Sequence, residues 1–156
     1  MQTRFDSSSE EQTAALAAGF ARLLSPGDVV LLKGQLGAGK TFFVRAAARE
    51  LGVPGPVTSP SFTIANTYQG RFTVHHLDLY RLAAFDAQDE ADFSSFFEDD
   101  AVTFIEWPEV AEDHIAAPRA VIEMRHAGEH RRELSFITGS GEFQRALEEL
   151  IASLGN

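Results

Sequence analysis

A glycine-rich segment at residues 34–41 constrains the fold of this chain more than any other feature. It matches the phosphate-binding pattern G-x-x-x-x-G-K-[ST] at every fixed position. An apolar run at residues 29–32 precedes it and predicts a buried parallel strand, and residues 42–51 predict a helix that Gly52 ends. In this setting glycines let successive N–H groups point at phosphate oxygens, and the helix N-terminus adds partial positive charge. We therefore predict a strand–loop–helix unit that binds phosphate.

Lys40 and Thr41 close this loop. Lys40 would reach the β- and γ-phosphates of a nucleotide, and the Thr41 hydroxyl would bind Mg²⁺. The chain has two lysines against eleven arginines, and one of the two stands here, where a compact point charge is useful. The alternative is a chance glycine-rich turn between a strand and a helix.

Composition favours one ordinary globular domain spanning residues 1–156, with 44% apolar and 23% charged residues. The absence of cysteine excludes disulfides and thiolate zinc sites. No apolar run approaches the ~18 residues of a membrane span, and the N-terminus lacks the apolar core of a signal peptide, so we expect a cytoplasmic protein with no membrane contact. A net charge of −10 argues against broad contact with a nucleic-acid backbone, although a partner could carry the nucleic acid.

The remaining pattern predicts a central mixed β-sheet flanked by helices in an α/β fold. Ser8 and Glu11 have capping-box spacing and predict the start of a helix, whose apolar face holds Leu16, Phe20, Leu23 and Leu24. The other predicted elements are a hairpin of strands 61–68 and 71–77, an acidic helix 79–97 with apolar Phe93, Phe96 and Phe97, a buried strand 101–105, a second hairpin of strands 120–125 and 133–138, and a helix 142–154.

Two acidic residues follow apolar strands and are candidates for hydrolytic chemistry. Glu106 follows residues 102–105, and Asp78 follows residues 72–77. Strand ends of such a sheet point at the same crevice as the phosphate loop, where carboxylates can hold Mg²⁺ and position an attacking group. The alternatives are an ordinary polar residue leaving a strand, for Glu106, and a helix N-cap, for Asp78.

Three further features are open to two interpretations each. The polar loop at residues 58–61, which contains Thr58 and Ser59, could bring a hydroxyl or N–H group to the γ-phosphate, or it is a simple proline turn. His75 and His76 lie on opposite strand faces, and packing or hydrogen bonding is favoured over zinc, which needs another clear ligand. Trp107 is a packing residue or a lid near the nucleotide.

Four motifs occur in order, namely the loop at 34–41, T-S-P-S-F-T at 58–63, H-x-D-L-Y-R at 76–81 and E-W-P-E at 106–109. Together they resemble the bacterial TsaE family, the small ATPase of tRNA threonylcarbamoyladenosine biosynthesis, over most of the chain. The resemblance implies a P-loop NTPase-like fold and slow hydrolysis of ATP with Mg²⁺. It also implies docking on the TsaB–TsaD heterodimer, which transfers threonylcarbamoyl to tRNA adenosine.

By the same resemblance, Thr41 and Glu106 are the Mg²⁺ ligands, and Lys40, Asp78 and Glu106 are the catalytic residues, Asp78 being the acid linked to hydrolysis. Two positions depart from the family pattern, since Gln35 replaces a common Asp and Phe42 replaces a common Thr or Ser. The residues expected at the nucleotide are Thr13 on the adenine side, Gly34, Gly37, Ala38, Gly39, Lys40, Thr41, Phe42, Thr58, Ser59, Glu109 and Arg132.

Three other classes remain open. A small kinase of a metabolite would need an acceptor pocket with a lid of several arginines, but only Arg81 lies near a motif. A GTPase generally carries an Asn-Lys-x-Asp segment, and neither Lys33 nor Lys40 lies in one. A nucleotide-switched binding module without significant turnover would be separated from an ATPase by measuring hydrolysis.

Overall fold

A seven-stranded mixed sheet forms the centre of the structure, a computed structural model that describes residues 1–60, 64–139 and 141–155. The four middle strands run parallel, whereas the two strands at one edge and the single strand at the other each pair antiparallel with a neighbour. This confirms the predicted mixed sheet. The strands are β1 (Gln2–Ser7), β2 (Val29–Lys33), β3 (Ala65–Gln69), β4 (Thr73–Asp78), β5 (Ala101–Glu106), β6 (Ala120–His126) and β7 (Arg132–Thr138), lying side by side in the order β1-β7-β6-β2-β5-β4-β3.

Three helices cover one face of this sheet, and they are α1 (Glu10–Arg22), α2 (Lys40–Glu50) and α4 (Glu142–Ser153). Phe20 of α1 lies at their junction and is fully buried. Its ring centroid lies 5.7 Å from that of Phe43 on α2, 5.5 Å from that of Phe136 on β7 and 5.8 Å from that of Phe143 on α4. One side chain therefore joins all three helices to the sheet.

The opposite face is covered by shorter elements. Leu31, Leu77 and Ile105 form its buried centre, and half-buried phenylalanines from residues 85–97 pack against them. The covering segments are α3 (Ala87–Phe93) and two 3-10 turns, Ser94–Phe97 and Pro108–His114. Phe93, Phe96 and Phe97 thus belong to the edge of a second apolar core.

The predicted helix over residues 79–97 is wrong in its first half, because α3 begins only at Ala87. Asp86 and Asp89 form a reciprocal capping box, which satisfies the first N–H groups of a new helix and separates it from the preceding chain. The Leu79 N–H instead donates to the Glu106 carbonyl, 3.1 Å away, and continues the pairing of β4 with β5. The periodicity of apolar residues does not show that a separate helix begins at Ala87.

Two differences concern the N-terminal region. Strand β1 was not predicted, and it pairs with β7 at the far end of the sequence. Helix α1 begins one residue later than expected, because Ser9 rather than Ser8 caps it by accepting from the Gln12 N–H at 3.1 Å. The predicted apolar face of α1 is confirmed, with Leu16 and Phe20 fully buried.

Both predicted hairpins, the strand before the phosphate loop and the C-terminal helix are confirmed to within a few residues at their ends. The predicted start of the first hairpin at Ser61 lies outside the described residues. Over the described part of the chain, no helix combines the length and apolarity needed to cross a membrane.

Replacing Phe20 with Ala should lower the free energy of unfolding by about 3–5 kcal/mol, the usual cost of removing a buried aromatic ring. The loss arises because three aromatic neighbours would border a cavity. Urea denaturation checks it, with Leu36→Ala as a control, since the Leu36 side chain is 79% exposed and its loss should cost less than about 0.5 kcal/mol. Equal stability of the two variants would contradict the central role of Phe20.

Candidate active site

The phosphate loop and the two strand-end acids meet at one edge of the sheet. Strand β2, which leads into the loop, neighbours β5, and β5 neighbours β4. The three strands are parallel, so their carboxyl ends lie together, with Asp78 in register with Glu106 and Glu106 in register with Leu32. Sheets of this kind bind ligands at such an edge.

The loop itself depends on glycine at three positions. Gly34, Gly37 and Gly39 have φ angles of 153°, 83° and 103°, which disfavour other residues. A Cβ atom at Gly34 would also lie 2.5 Å from the Met124 carbonyl oxygen. The N-cap of α2 is Gly39, which has no side chain to occupy the N–H groups of the first turn, and N–H groups in this position can bind an anion.

Lys40 is only 4% exposed, and the loop holds its ammonium group in place. Its Nζ donates to the carbonyl oxygens of Gly34 and, at 3.1 Å, of Gln35. The same Nζ lies 4.0 Å from the ring centroid of Trp107, a cation–π contact. Burial lowers the pKa of Lys40, while the carboxylates of Glu106 and Asp78 act in the opposite direction.

Thr41 and Glu106 bring together the donor set expected for Mg²⁺. The Thr41 Oγ1 lies 3.0 Å from each carboxylate oxygen of Glu106, to which it donates its proton. Hydroxyl and carboxylate oxygens suit this hard cation, which usually keeps several waters and phosphate ligands. No cluster of three or more His, Cys, Asp or Glu side chains able to hold a metal occurs among the described residues, so this pair would leave most positions on the cation to water and phosphate.

Asp78 lies beside this pair but serves a different contact. Its Oδ1 accepts the Tyr80 N–H at 3.0 Å, which caps a turn rather than the predicted helix. Burial raises the pKa of Asp78, and the nearby Glu106 carboxylate acts in the same direction, whereas the Tyr80 N–H lowers it. A carboxyl group in this state is suited to taking up a proton.

The two histidines lie on opposite faces of the sheet, as predicted. His76 is completely buried, and its Nε2 lies 2.5 Å from the Glu106 Oε2. His75 instead forms a 2.9 Å hydrogen bond with the Thr67 hydroxyl and an edge contact with the Phe96 ring. The bond between His76 and Glu106 was not predicted, because no local pattern links residues on neighbouring strands.

One cavity of about 250 Å³ brings together all three predicted catalytic residues, Lys40, Asp78 and Glu106. Ser59 lines it, whereas Thr58 is tied to the neighbouring hairpin, where its carbonyl accepts from the Asn66 side chain at 3.3 Å. The rest of this predicted loop, residues 61–63, lies outside the described chain. The lining residues are Leu36, Gly37, Ala38, Gly39, Lys40, Thr41, Phe42, Ser59, Asp78, Glu106 and Trp107.

A second, smaller cleft of about 90 Å³ lies beside Gly39 at the end of the loop and brings together Thr13, Phe42 and Arg132. The Arg132 Nε donates to the Ala38 carbonyl at 3.0 Å, so this side chain braces the loop. Gly39 and Phe42 line both spaces. Sequence patterns had not indicated the three other lining residues, Glu10, Met124 and His130.

A third cavity, of about 740 Å³, is lined by residues 33–38 of the loop region and by residues 123–126 of β6. It shares backbone with the phosphate loop but contains none of Lys40, Thr41, Asp78 or Glu106. These four candidate residues therefore lie around the smaller cavity.

Trp107 has an unusual backbone conformation beside the site. Its φ of 54° is left-handed, which costs a non-glycine residue about 1–2 kcal/mol. The conformation places its ring over Lys40 and 4.8 Å from the Tyr80 ring, measured between centroids. A lid near the nucleotide is one of the two interpretations of Trp107, and no sequence pattern predicts this geometry. Glu109, two residues on, lies exposed in the following 3-10 turn, where its charge acts to raise the pKa of Lys40.

Comparison with known proteins points to one family. The sequence model described as "Threonylcarbamoyl adenosine biosynthesis protein TsaE" matches residues 7–134. Proteins named "tRNA threonylcarbamoyladenosine biosynthesis protein TsaE" are 33% identical in Bacillus subtilis, over 96% of this chain and 94% of the relative, and 37% identical in Rickettsia felis, over 85% and 78%.

The fold agrees with these matches. The crystal structure of YdiB from Bacillus subtilis superposes with a TM-score of 0.80 at 30% identity, covering 98% of this chain and 96% of YdiB. The chain therefore belongs to the TsaE family.

Proposed function

We propose that this protein is a single-domain P-loop ATPase that binds and slowly hydrolyses ATP with Mg²⁺, and that it acts with TsaB and TsaD in forming threonylcarbamoyladenosine on tRNA. The observation that carries the proposal is the convergence of Lys40, Thr41, Asp78 and Glu106 on one cavity at the N-terminus of α2. Family membership and the nucleotide-binding fold support it.

Phosphate would enter the cavity by replacing contacts that the protein makes with itself. The N–H groups at the start of α2 would donate to phosphate oxygens. Lys40 would exchange the loop carbonyls for a phosphate, which offsets the cost of keeping its charge buried. The brace from Arg132 to Ala38 keeps the loop in shape during this exchange.

Thr41 and Glu106 are the residues that would hold Mg²⁺, with the hydroxyl giving up its bond to the carboxylate. The bound cation would neutralise charge on the β- and γ-phosphate oxygens. The residues present fit this role because both are oxygen donors already brought together by the fold. Glu106 is only 3% exposed, so little water competes for it.

Asp78 is the acidic residue that we assign to hydrolysis, where its carboxylate would act as the general base. It lies one strand away from Glu106 and lines the same cavity, where it can orient a water for attack on the γ-phosphorus and accept its proton. As the new P–O bond forms, the bond to the β–γ bridging oxygen breaks. Because the pKa of Asp78 is raised, this carboxylate accepts a proton more readily than the carboxylate of an ordinary aspartate does.

The small cleft is the proposed place for adenine, with Thr13, Phe42 and Arg132 around it. A net charge of −10 makes direct tRNA binding unfavourable, so TsaB and TsaD would handle the tRNA. We propose a cytoplasmic location, where tRNA is modified. Ordering of the Thr58 and Ser59 segment by ATP would change the surface presented to these partners.

Alanine variants of Glu106 and Asp78 should differ in which step they impair, ATP binding or hydrolysis. Glu106→Ala should weaken ATP binding only when Mg²⁺ is present, whereas Asp78→Ala should leave binding nearly intact and lower turnover by more than about tenfold, or ~1.4 kcal/mol of barrier. Calorimetry with and without Mg²⁺, together with phosphate release, measures both effects. Glu149→Ala, an exposed carboxylate on α4, is the control. If neither acid variant slows hydrolysis, this cavity is not the catalytic site.

Asp78→Asn should stabilise the protein without nucleotide at pH 7. Because the pKa of Asp78 is raised in the fold, the folded state holds its proton more tightly, and stability is lost as pH rises from the usual 3.8 through the folded value. Asparagine removes this penalty and can still accept the Tyr80 N–H. The gain in Tm should shrink towards zero as pH falls below 3.8. Exposed Asp113→Asn should show no such gain, and an unchanged Tm for Asp78→Asn at pH 7 would contradict the assignment.

Affinity for the TsaB–TsaD pair should depend on the nucleotide. One segment ordered by ATP can supply the coupling typical of linked sites, so we expect about 5- to 150-fold tighter binding with ATP than with ADP. Calorimetry with the reconstituted pair tests this, and Lys40→Ala should remove the difference. Equal affinities with both nucleotides, or tight salt-sensitive binding of tRNA by this chain alone, would reverse the proposed division of roles.

A further inference from the structure

We propose that His76 is a positioning residue, which holds the Glu106 carboxylate in the orientation that receives the cation. This inference rests on the proposed function, since it concerns the same Mg²⁺ pair. It assigns a role to a histidine that contacts neither phosphate nor cation in that proposal.

The contact is built across two parallel strands. His76 lies on β4 beside β5, on the sheet face that α2 covers, and its side chain is completely buried. Its Nε2 lies 2.5 Å from the Oε2 of Glu106, which is itself 3% exposed. The carboxylate is therefore held from two sides, by the imidazole of β4 and by the Thr41 hydroxyl of α2.

The second ring nitrogen gives independent support. The His76 Nδ1 is buried and has no hydrogen-bond partner among the described residues. Buried polar atoms in native proteins are nearly always paired, and an exception calls for an explanation. Its strand neighbour Val74 and its β5 partner Phe104 show that an apolar side chain is accommodated on this face. The contact of Nε2 with Glu106 therefore explains why this position holds a histidine, since Nε2 is the bonded ring nitrogen.

The geometry would leave the Glu106 Oε1 to the cation once Thr41 releases it. His76 contacts Oε2 alone, and the tautomer with its proton on Nε2 suits a carboxylate acceptor and an unpaired Nδ1. When Thr41 gives up its bond to Glu106, the imidazole N–H remains as the fixed contact, and Oε1 stays available. Such outer contacts orient metal ligands, and their loss typically weakens metal affinity about 10–100-fold.

The test uses two variants that differ in reach. The amide nitrogen of glutamine extends about as far as the imidazole Nε2, whereas that of asparagine reaches only the Nδ1 position. His76→Asn should therefore weaken Mn²⁺ binding to the ADP complex, followed by electron paramagnetic resonance, by about 10–100-fold. Metal-free ADP affinity should stay unchanged, and His76→Gln should recover most of the loss. His75→Asn, on the opposite face, is the matched control.

A second measurement needs no histidine variant. In nitrogen-15 correlated spectra of the wild-type protein, the His76 ring should carry its proton on Nε2, and the chemical shift of that proton should lie strongly downfield. The Glu106→Ala variant should lose this downfield shift. A proton on Nδ1 instead, or a signal indifferent to Glu106→Ala, overturns the inference even if His76→Asn fails to fold.

The outcomes separate this inference from the proposed function. If wild-type protein binds Mn²⁺ with ADP and His76→Asn binds it equally well, the positioning role alone is wrong. If His76→Gln loses as much affinity as His76→Asn, the residue is needed only for packing, and the inference again fails. If the wild-type ADP complex binds no Mn²⁺, the Mg²⁺ site of the proposed function fails and the inference falls with it.

Discussion

The hydrogen bond between Thr41 and Glu106 joins the first turn of α2 to the end of β5, and the rest of the site is arranged around it. It is possible because β2 and β5 are parallel neighbours, so that the loop after one strand ends beside the last residue of the other. Asp78 is one strand further along, and His76 reaches the same carboxylate from within β4. Strand order thus decides which acids can approach the phosphate loop.

The local parts of the site could be predicted from the sequence, because each depends on a short pattern. The phosphate loop requires glycines at fixed spacing, and Glu106 and Asp78 could be recognised by the apolar runs that precede them. The expectation that all three meet follows from parallel strands with a shared edge. The mixed sheet also followed, since a hairpin and a loop between strand and helix imply antiparallel and parallel pairing respectively.

The features that could not be predicted depend on contacts between distant segments or on local capping. Strand β1 has one large apolar residue, Phe5, and its partner β7 lies at the other end of the chain, so no periodic signal marks it. The chain after Asp78 had helical composition, but its N–H groups found partners in β5 and in the Asp78 side chain. The cleft lined by Thr13 and Arg132 likewise exists only once α1 and β7 are packed together.

The loop carbonyls that hold Lys40 behave as a tethered competitor for the incoming phosphate. Because they belong to the same chain, dilution never weakens them, and they recapture the ammonium group whenever it is released. Observed nucleotide affinity is then lower than the intrinsic affinity by the fraction of molecules whose lysine is free. In the proposed hydrolytic cycle, the same recapture would favour departure of the spent nucleotide.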